Sequence, residues 1–227
     1  MSGGQTTCWT VIREAAGGDA AARQAFAERY ERTVRAYLLA RWRGSPLAQE
    51  VDDVIQEVFV EAFRHGGALD RVDPESPGGF RPFFYGVIRN VARRAESRHG
   101  RRRDRQPPTA FFGETAEASE QRLSRVFDRE WARAMMREAA DRQREAARAG
   151  GPDAQRRVEL LRMRFYEGWP IREIARLWSA EPAALHREYA RARKEFKEAL
   201  LEVVAYHHPG SAAAIERQCA DLLAMLE

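Results

Sequence analysis

Apolar side chains in this chain recur every three or four residues and almost never every second one, and that spacing constrains the fold more than any other feature. In "EVDDVIQEVFVEAF", residues 50–63, Val51, Val54, Ile55, Val58, Phe59 and Ala62 fall at i, i+3, i+4 and i+7. Phe26, Tyr30, Val34, Tyr37 and Leu38 keep the same rhythm, as do Leu123, Phe127, Trp131, Ala134 and Met135. No run of β-branched residues bounded by turn signals suggests a sheet, so the expected fold class is all-α.

Breaks in the periodicity divide the chain. "GSP" at 44–46 ends one helix, Gly66, Gly67, Pro74, Pro77, Gly78 and Gly79 mark a loop, and "DRQPPTAFFGETAEASE" at 104–120 loses periodicity and gains prolines. Gly150, Gly151 and Pro152 stop a further helix, and "HHPGS" precedes a last amphipathic piece. The expectation is two small helical domains, 19–104 and 119–204, joined by a flexible linker at 105–118. An N-terminal segment 1–18 precedes them and a C-terminal extension 205–227 follows. In the extension Ile215, Cys219, Leu222, Leu223 and Leu226 form a stripe, expected to pack on the second domain or to meet a partner.

No stretch has the apolar length of a membrane span, and the first 18 residues lack a basic start with an apolar core, so the expectation is a cytoplasmic protein with no membrane insertion. Cys8 and Cys219 stand apart, with no CxxC and no nearby histidine pattern, and read as packing thiols; no metal site and no cofactor is expected. The net charge is only +4, because 34 acids offset 38 bases, but its distribution is uneven. All the basic side chains except Lys194 and Lys197 are arginine, whose planar fork suits phosphates and carboxylates.

Residues 50–63 carry five carboxylates and no basic side chain, and Glu50, Asp53, Glu57 and Glu61 make a stripe beside the apolar face. Asp52 and Asp53 favour the helix N-terminus, but Glu57 and Glu61 gain nothing there and repel each other at i, i+4. Residues 89–105 are the opposite: Arg89, Arg93, Arg94, Arg98, Arg101, Arg102, Arg103 and Arg105 against Glu96 and Asp104, a local balance of +6. Phe80, Phe83, Phe84 and Tyr85 lie just upstream, with one of Phe83 and Phe84 expected in the core. Guanidinium for phosphates and ring faces for unstacked bases suit a single-stranded nucleic acid.

In "EGWPIREIARLWSAEPAALHREYARARKEF", residues 167–196, Ile171, Ile174, Ala175 and Trp178 define a short amphipathic helix, and Leu185, Tyr189, Ala192 and Phe196 the buried face of a second. Pro182 suits the first turn of that second helix. This is helix-turn-helix spacing. It offers Pro182, Ala183, His186, Arg187 and Ala190 to base edges in a major groove, with Arg191, Lys194 and Lys197 placed for phosphates.

Together these pieces resemble the bacterial sigma-70 family of RNA polymerase sigma factors, in its small two-domain extracytoplasmic-function class. "VDDVIQEVFVEAF" resembles the region 2.2 signature, "FFYGVIRNVARR" is similar to the region 2.3 to 2.4 helix, and "EGWPIREIARLW" with "LHREYARARKEFKEAL" is similar to region 4.2. "FDREWARAMM" resembles a subgroup whose second domain opens with a long helix. Phe83 and Phe84 replace the family's tryptophan-leucine, Arg94 a common aspartate and Ser179 the usual turn glycine, and Glu188 stands where a basic residue is frequent.

The resemblance implies a promoter-recognition factor with no chemistry of its own. Glu50, Asp52, Asp53, Gln56, Glu57 and Glu61 are the implied docking stripe for the polymerase core, on a coiled coil of its largest subunit, and the second domain meets the flap region. Phe84, Tyr85, Arg89, Asn90, Arg93, Arg94 and Arg98 are the implied minus-10 contacts, with the loop at 66–79 capturing an unpaired base. Pro182, Ala183, His186, Arg187, Ala190, Arg191 and Lys194 are the implied minus-35 contacts. The implied partners are core polymerase, promoter DNA both double- and single-stranded, and an anti-sigma factor or other regulator. Two other classes stand beside this one: a stand-alone helix-turn-helix regulator, and a metal-dependent nuclease using Asp52, Asp53 and Glu57.

Overall fold

The computed structural model describes residues 8–71, 79–102, 116–208 and 210–226. Arg103, Arg105, residues 72–78 of the base-capturing loop and most of the linker lie outside them. Every regular element among the described residues is helical, as the periodicity requires. No helix among them is long and apolar enough to cross a membrane. The chain forms two compact units, one of Met1–Ala134 with Tyr206–Pro209 and Asp221–Glu227, the other of Met135–Ala205 with Gly210–Ala220.

The first unit holds α1 (Cys8–Ala16), α2 (Ala20–Arg41), α3 (Val51–Phe63), α4 (Phe80–Arg102) and the opening part of α5 (Ala116–Gly150). Asp19 caps α2 by accepting from the Ala22 amide at 2.7 Å. Ser45 caps a 3₁₀ turn, Pro46–Glu50, that leads into α3. An aromatic cluster fills the core. Phe26, Tyr30, Phe80 and Phe84 are each no more than 1% exposed, and the Phe84 ring lies 5.2 Å from Tyr30 and 5.5 Å from Phe26. Trp131 stacks on Tyr30 at 5.2 Å.

The first unit runs into α5 as far as Ala134. Leu123, Phe127 and Trp131 project from its opening turns and are buried, and Phe127 and Trp131 extend the first unit's aromatic cluster. A polar network supports the same turns: Arg41, 12% exposed, pairs with Glu96 at 2.7 Å and Glu120 at 3.1 Å. Burial works against the Arg41 charge, but the Glu96 hydrogen bond and the neighbouring charges outweigh it and hold its pKa above the ordinary range.

The second unit holds the rest of α5, α6 (Pro152–Leu161), a π turn (Arg162–Tyr166), α7 (Ile171–Leu177), most of α8 (Pro182–His207) and most of α9 (Ala212–Ala224). Its core gathers Leu160, Met163, Ile171, Ile174, Ala175 and Leu185, the last four from the expected helix-turn-helix. Gln143 is buried and donates to the Ala192 carbonyl at 2.9 Å, tying α5 to α8. Within α9, Cys219 of the second unit and Leu222 of the first are buried, Ile215 and Leu226 are half-buried, and Leu223 is exposed. Cys8 is also buried, its thiol donating to the His207 carbonyl at 3.5 Å, and neither cysteine is in a disulfide.

Candidate nucleic-acid interface

In the first unit, the end of α3, a short 3₁₀ turn (Leu69–Arg71) and α4 enclose a cleft of about 830 Å³. Its wall turns on two glycines. Gly66 takes φ +65°, and a Cβ on Gly67 would collide with the carbonyl oxygens of Arg64 and Glu61, the latter at 2.7 Å. Gly67 donates to the Arg64 carbonyl and Ala68 to the Glu61 carbonyl, while Asp70 accepts from the Gly66 amide at 2.6 Å. This tight exit from α3 sets Arg71 against α4, with its Nε donating to the Gly67 carbonyl at 3.1 Å. Across the cleft α4 presents Phe83, Val87, Asn90 and Arg94 at i, i+4, i+7 and i+11, with Pro82 and Arg93 beside them.

An apolar floor with an amide and guanidinium rim is the chemistry an unstacked base and its phosphates require. Asn90 and Arg93 are exposed at the rim. Phe84 was expected at a nucleic-acid face and is fully buried instead. It shares the inward stripe of Phe80, Ile88, Val91 and Ala95, so of the two adjacent phenylalanines it is Phe83 that lines the cleft. Tyr85 also turns away. Its ring packs edge-on against Tyr37 at 5.6 Å and Phe127 at 5.2 Å, and its hydroxyl points to Glu120 at 3.5 Å. Burial first, then Tyr37 and Glu120, push its phenol up to about 12. Arg89 lies on that side too, its Nε 3.0 Å from Glu120. Arg71 and Pro82, and the choice of Phe83 over Phe84, were not legible in sequence, because only the fold shows which side of α4 meets the Gly66–Gly67 turn.

The acidic stripe occupies the exposed side of α3. Asp52, Asp53 and Gln56 are exposed, and Glu50, Glu57 and Glu61 are half-buried. Asp52 accepts from Arg35 at 2.6 Å. Glu57 pairs with Arg98 at 2.6 Å, Glu61 with Arg94 at 3.0 Å and with Arg64 at 3.0 Å, and Glu50 faces His99 at 3.4 Å. Two sets of residues read apart in sequence, one acidic and one basic, therefore touch in the fold. Asp52 and Glu57 are drawn to different arginines, and no group of three or more His, Cys, Asp or Glu side chains suited to a metal ion occurs among the described residues.

In the second unit the turn between α7 and α8 places Ser179 at φ +49°, a left-handed position that glycine takes without strain. Ala180 closes the turn by donating to the Ala175 carbonyl at 2.9 Å. Glu181 caps α8, its carboxylate accepting from the Ala183 and Ala184 amides at 3.0 and 2.7 Å, which hold its pKa below the ordinary range. Pro182, Ala183, His186, Arg187, Ala190, Arg191 and Lys194 are all exposed. Glu188 is spoken for within the unit, since Arg157 bridges it at 3.5 Å and Glu195 at 2.8 Å. Arg156 lies over the Trp178 ring at 4.7 Å and steadies the back of the turn.

The fold is all-α, and the first unit carries a cleft lined by Phe83, Val87, Asn90, Arg71, Arg93, Arg94 and Glu61, while α8 of the second unit has an exposed N-terminal face. Residues 26–103 match the family model described as Sigma-70 region 2, which supports a member of the sigma-70 family. The match runs from the core of α2 through the end of α4 and so contains both the acidic ridge and the cleft. No curated protein matches the chain.

Proposed function

We propose that this chain is a sigma factor of the extracytoplasmic-function class, which binds core RNA polymerase and directs it to promoters. The observation that carries the reading is the cleft: an apolar floor of Phe83 and Val87 beside Asn90, Arg93 and Arg94, inside the segment that matches region 2. In this reading Asp53 and Gln56, with the neighbouring acids, dock on the largest-subunit coiled coil. The cleft takes an unpaired minus-10 base, Phe83 stacking on it while Asn90 and Arg93 hold edge and phosphate. Stacking of about 1–3 kcal/mol per base offsets the few kcal/mol spent on unstacking. The exposed N-terminal turns of α8 read the minus-35 element, and the flap region receives the second unit.

Run-off transcription with purified core enzyme over a genomic library tests the proposal. Start sites sharing two elements at fixed spacing are expected, and only when the chain is added. Duplex binding by the chain alone, with transcription by core unaffected, would instead identify a stand-alone helix-turn-helix regulator.

A further inference from the structure

Resting on the reading above in which α8 meets a duplex, we infer that Arg157 is a positioning residue for that helix: it fixes α8 against α6 and so sets where the exposed side chains of α8 stand over the bases. Glu188, Ala192 and Glu195 fall at i, i+4 and i+7 on α8, one row that spans about 10 Å of helix axis. Both ends of that row are held by one side chain. Arg157 donates from Nε to Glu195 at 2.8 Å, and its Nη1 lies 3.5 Å from Glu188. The middle is held from α5, where the buried Gln143 donates to the Ala192 carbonyl at 2.9 Å. Arg157 itself is only 18% exposed.

Apolar burial has no direction, so the contacts of Leu185 and Ala199 on the inner side of α8 leave small rotations and slides of the helix nearly equal in energy. A planar guanidinium that grips two carboxylates two turns apart removes that freedom, because its donors keep a rigid fork. Partly buried polar contacts of this kind set register more than they add stability. His186 and Ala190 stand on the opposite side of α8 from the gripped row, with Arg187 beside them, and all three are exposed. Any rotation of α8 moves them together. Glu188 also faces Arg191 at 3.3 Å, which carries the same constraint to a side chain expected at a phosphate and gives an acid at 188 a use.

The test selects upstream duplexes from a randomised pool with the wild-type chain bound to core polymerase, then measures anisotropy of a selected and a scrambled duplex. Arg157→Met keeps the length of the side chain and removes its donors. It should lower the preference for the selected duplex by roughly five-fold or more, the worth of one base contact out of place, with a melting temperature within about 5 °C of wild type. Glu195→Gln, beyond the turns expected at the bases, should lower the same preference. Arg148→Met removes the same charge from α5, where that arginine pairs with Glu145, and should leave the preference within about two-fold of wild type. An unchanged preference in Arg157→Met, equal losses on the two duplexes, or an equal fall in Arg148→Met would overturn the inference and leave the sigma-factor reading intact.

Should Arg157→Met melt far below wild type or lose its helical circular-dichroism signal, Glu195→Gln decides. A fall in its preference supports the positioning role, and an unchanged preference overturns it. Failure of the wild-type chain with core polymerase to select any sequence sinks both the inference and the reading it rests on.

Discussion

Adjacent phenylalanines on α4 are assigned opposite duties, and single substitutions separate them. Phe84 is fully buried, with Phe26, Tyr30 and Phe80 around its ring at 5.2–5.5 Å. Truncation there leaves a cavity in the aromatic cluster, and Phe84→Ala should cost about 3–5 kcal/mol of stability. Phe83 is half-buried on the cleft floor, so Phe83→Ala should cost under about 1 kcal/mol of stability. It should, however, lose about 1–3 kcal/mol of binding to an unpaired strand, a factor of roughly five to 150. Urea denaturation gives the first quantity, and anisotropy of a single-stranded minus-10 oligonucleotide with reconstituted holoenzyme gives the second. Equal instability of the two variants, or strand binding by Phe83→Ala as tight as wild type, would refute this division of roles.

Gly67→Ala should destabilise the first unit by about 1–3 kcal/mol, read by thermal melting, because its Cβ has no room beside the Glu61 and Arg64 carbonyls. Arg187→Ala should weaken binding to a cognate upstream duplex by about 1–3 kcal/mol and spare scrambled duplexes, whereas equal losses on both would make Arg187 a phosphate contact. Burial first, then His207 and Arg81, lower the His208 pKa to about 4. Since the unfolded chain takes up that proton more readily, this contribution is fully present above about pH 6.5 and is lost as pH falls toward 4. A His208→Gln variant should show a shallower acid-side loss of stability in denaturation curves between those pH values.

Helices and their inward faces were legible in sequence where the apolar spacing was clean. Ile174, Ala175 and Leu185 lie in the second unit's core, and the residues expected on the outer side of α8 are exposed. On α4 the pattern was ambiguous, because Phe80, Phe83, Phe84 and Tyr85 crowd one turn and any of several rotations buries two of them. The choice was made by what packs there: Phe26 and Tyr30 take Phe80 and Phe84, and Phe127 with Tyr37 takes Tyr85. The stripe of Leu123, Phe127 and Trp131 was visible, but not the surface it covers. Ion pairs such as Arg94 with Glu61 and Arg98 with Glu57 join residues distant in sequence, and no local spacing announces them.

In the proposed reading, one helical unit shows an acidic ridge to the polymerase and an aromatic-floored cleft to the unpaired strand at the same time. Photocrosslinkers placed singly at positions 53 and 83, in the holoenzyme on an opened promoter, measure this directly. The label at 53 should capture the largest subunit, and the label at 83 should capture one unpaired minus-10 nucleotide. Exchange of the two products, or a label at 83 that reaches only protein, would contradict the account.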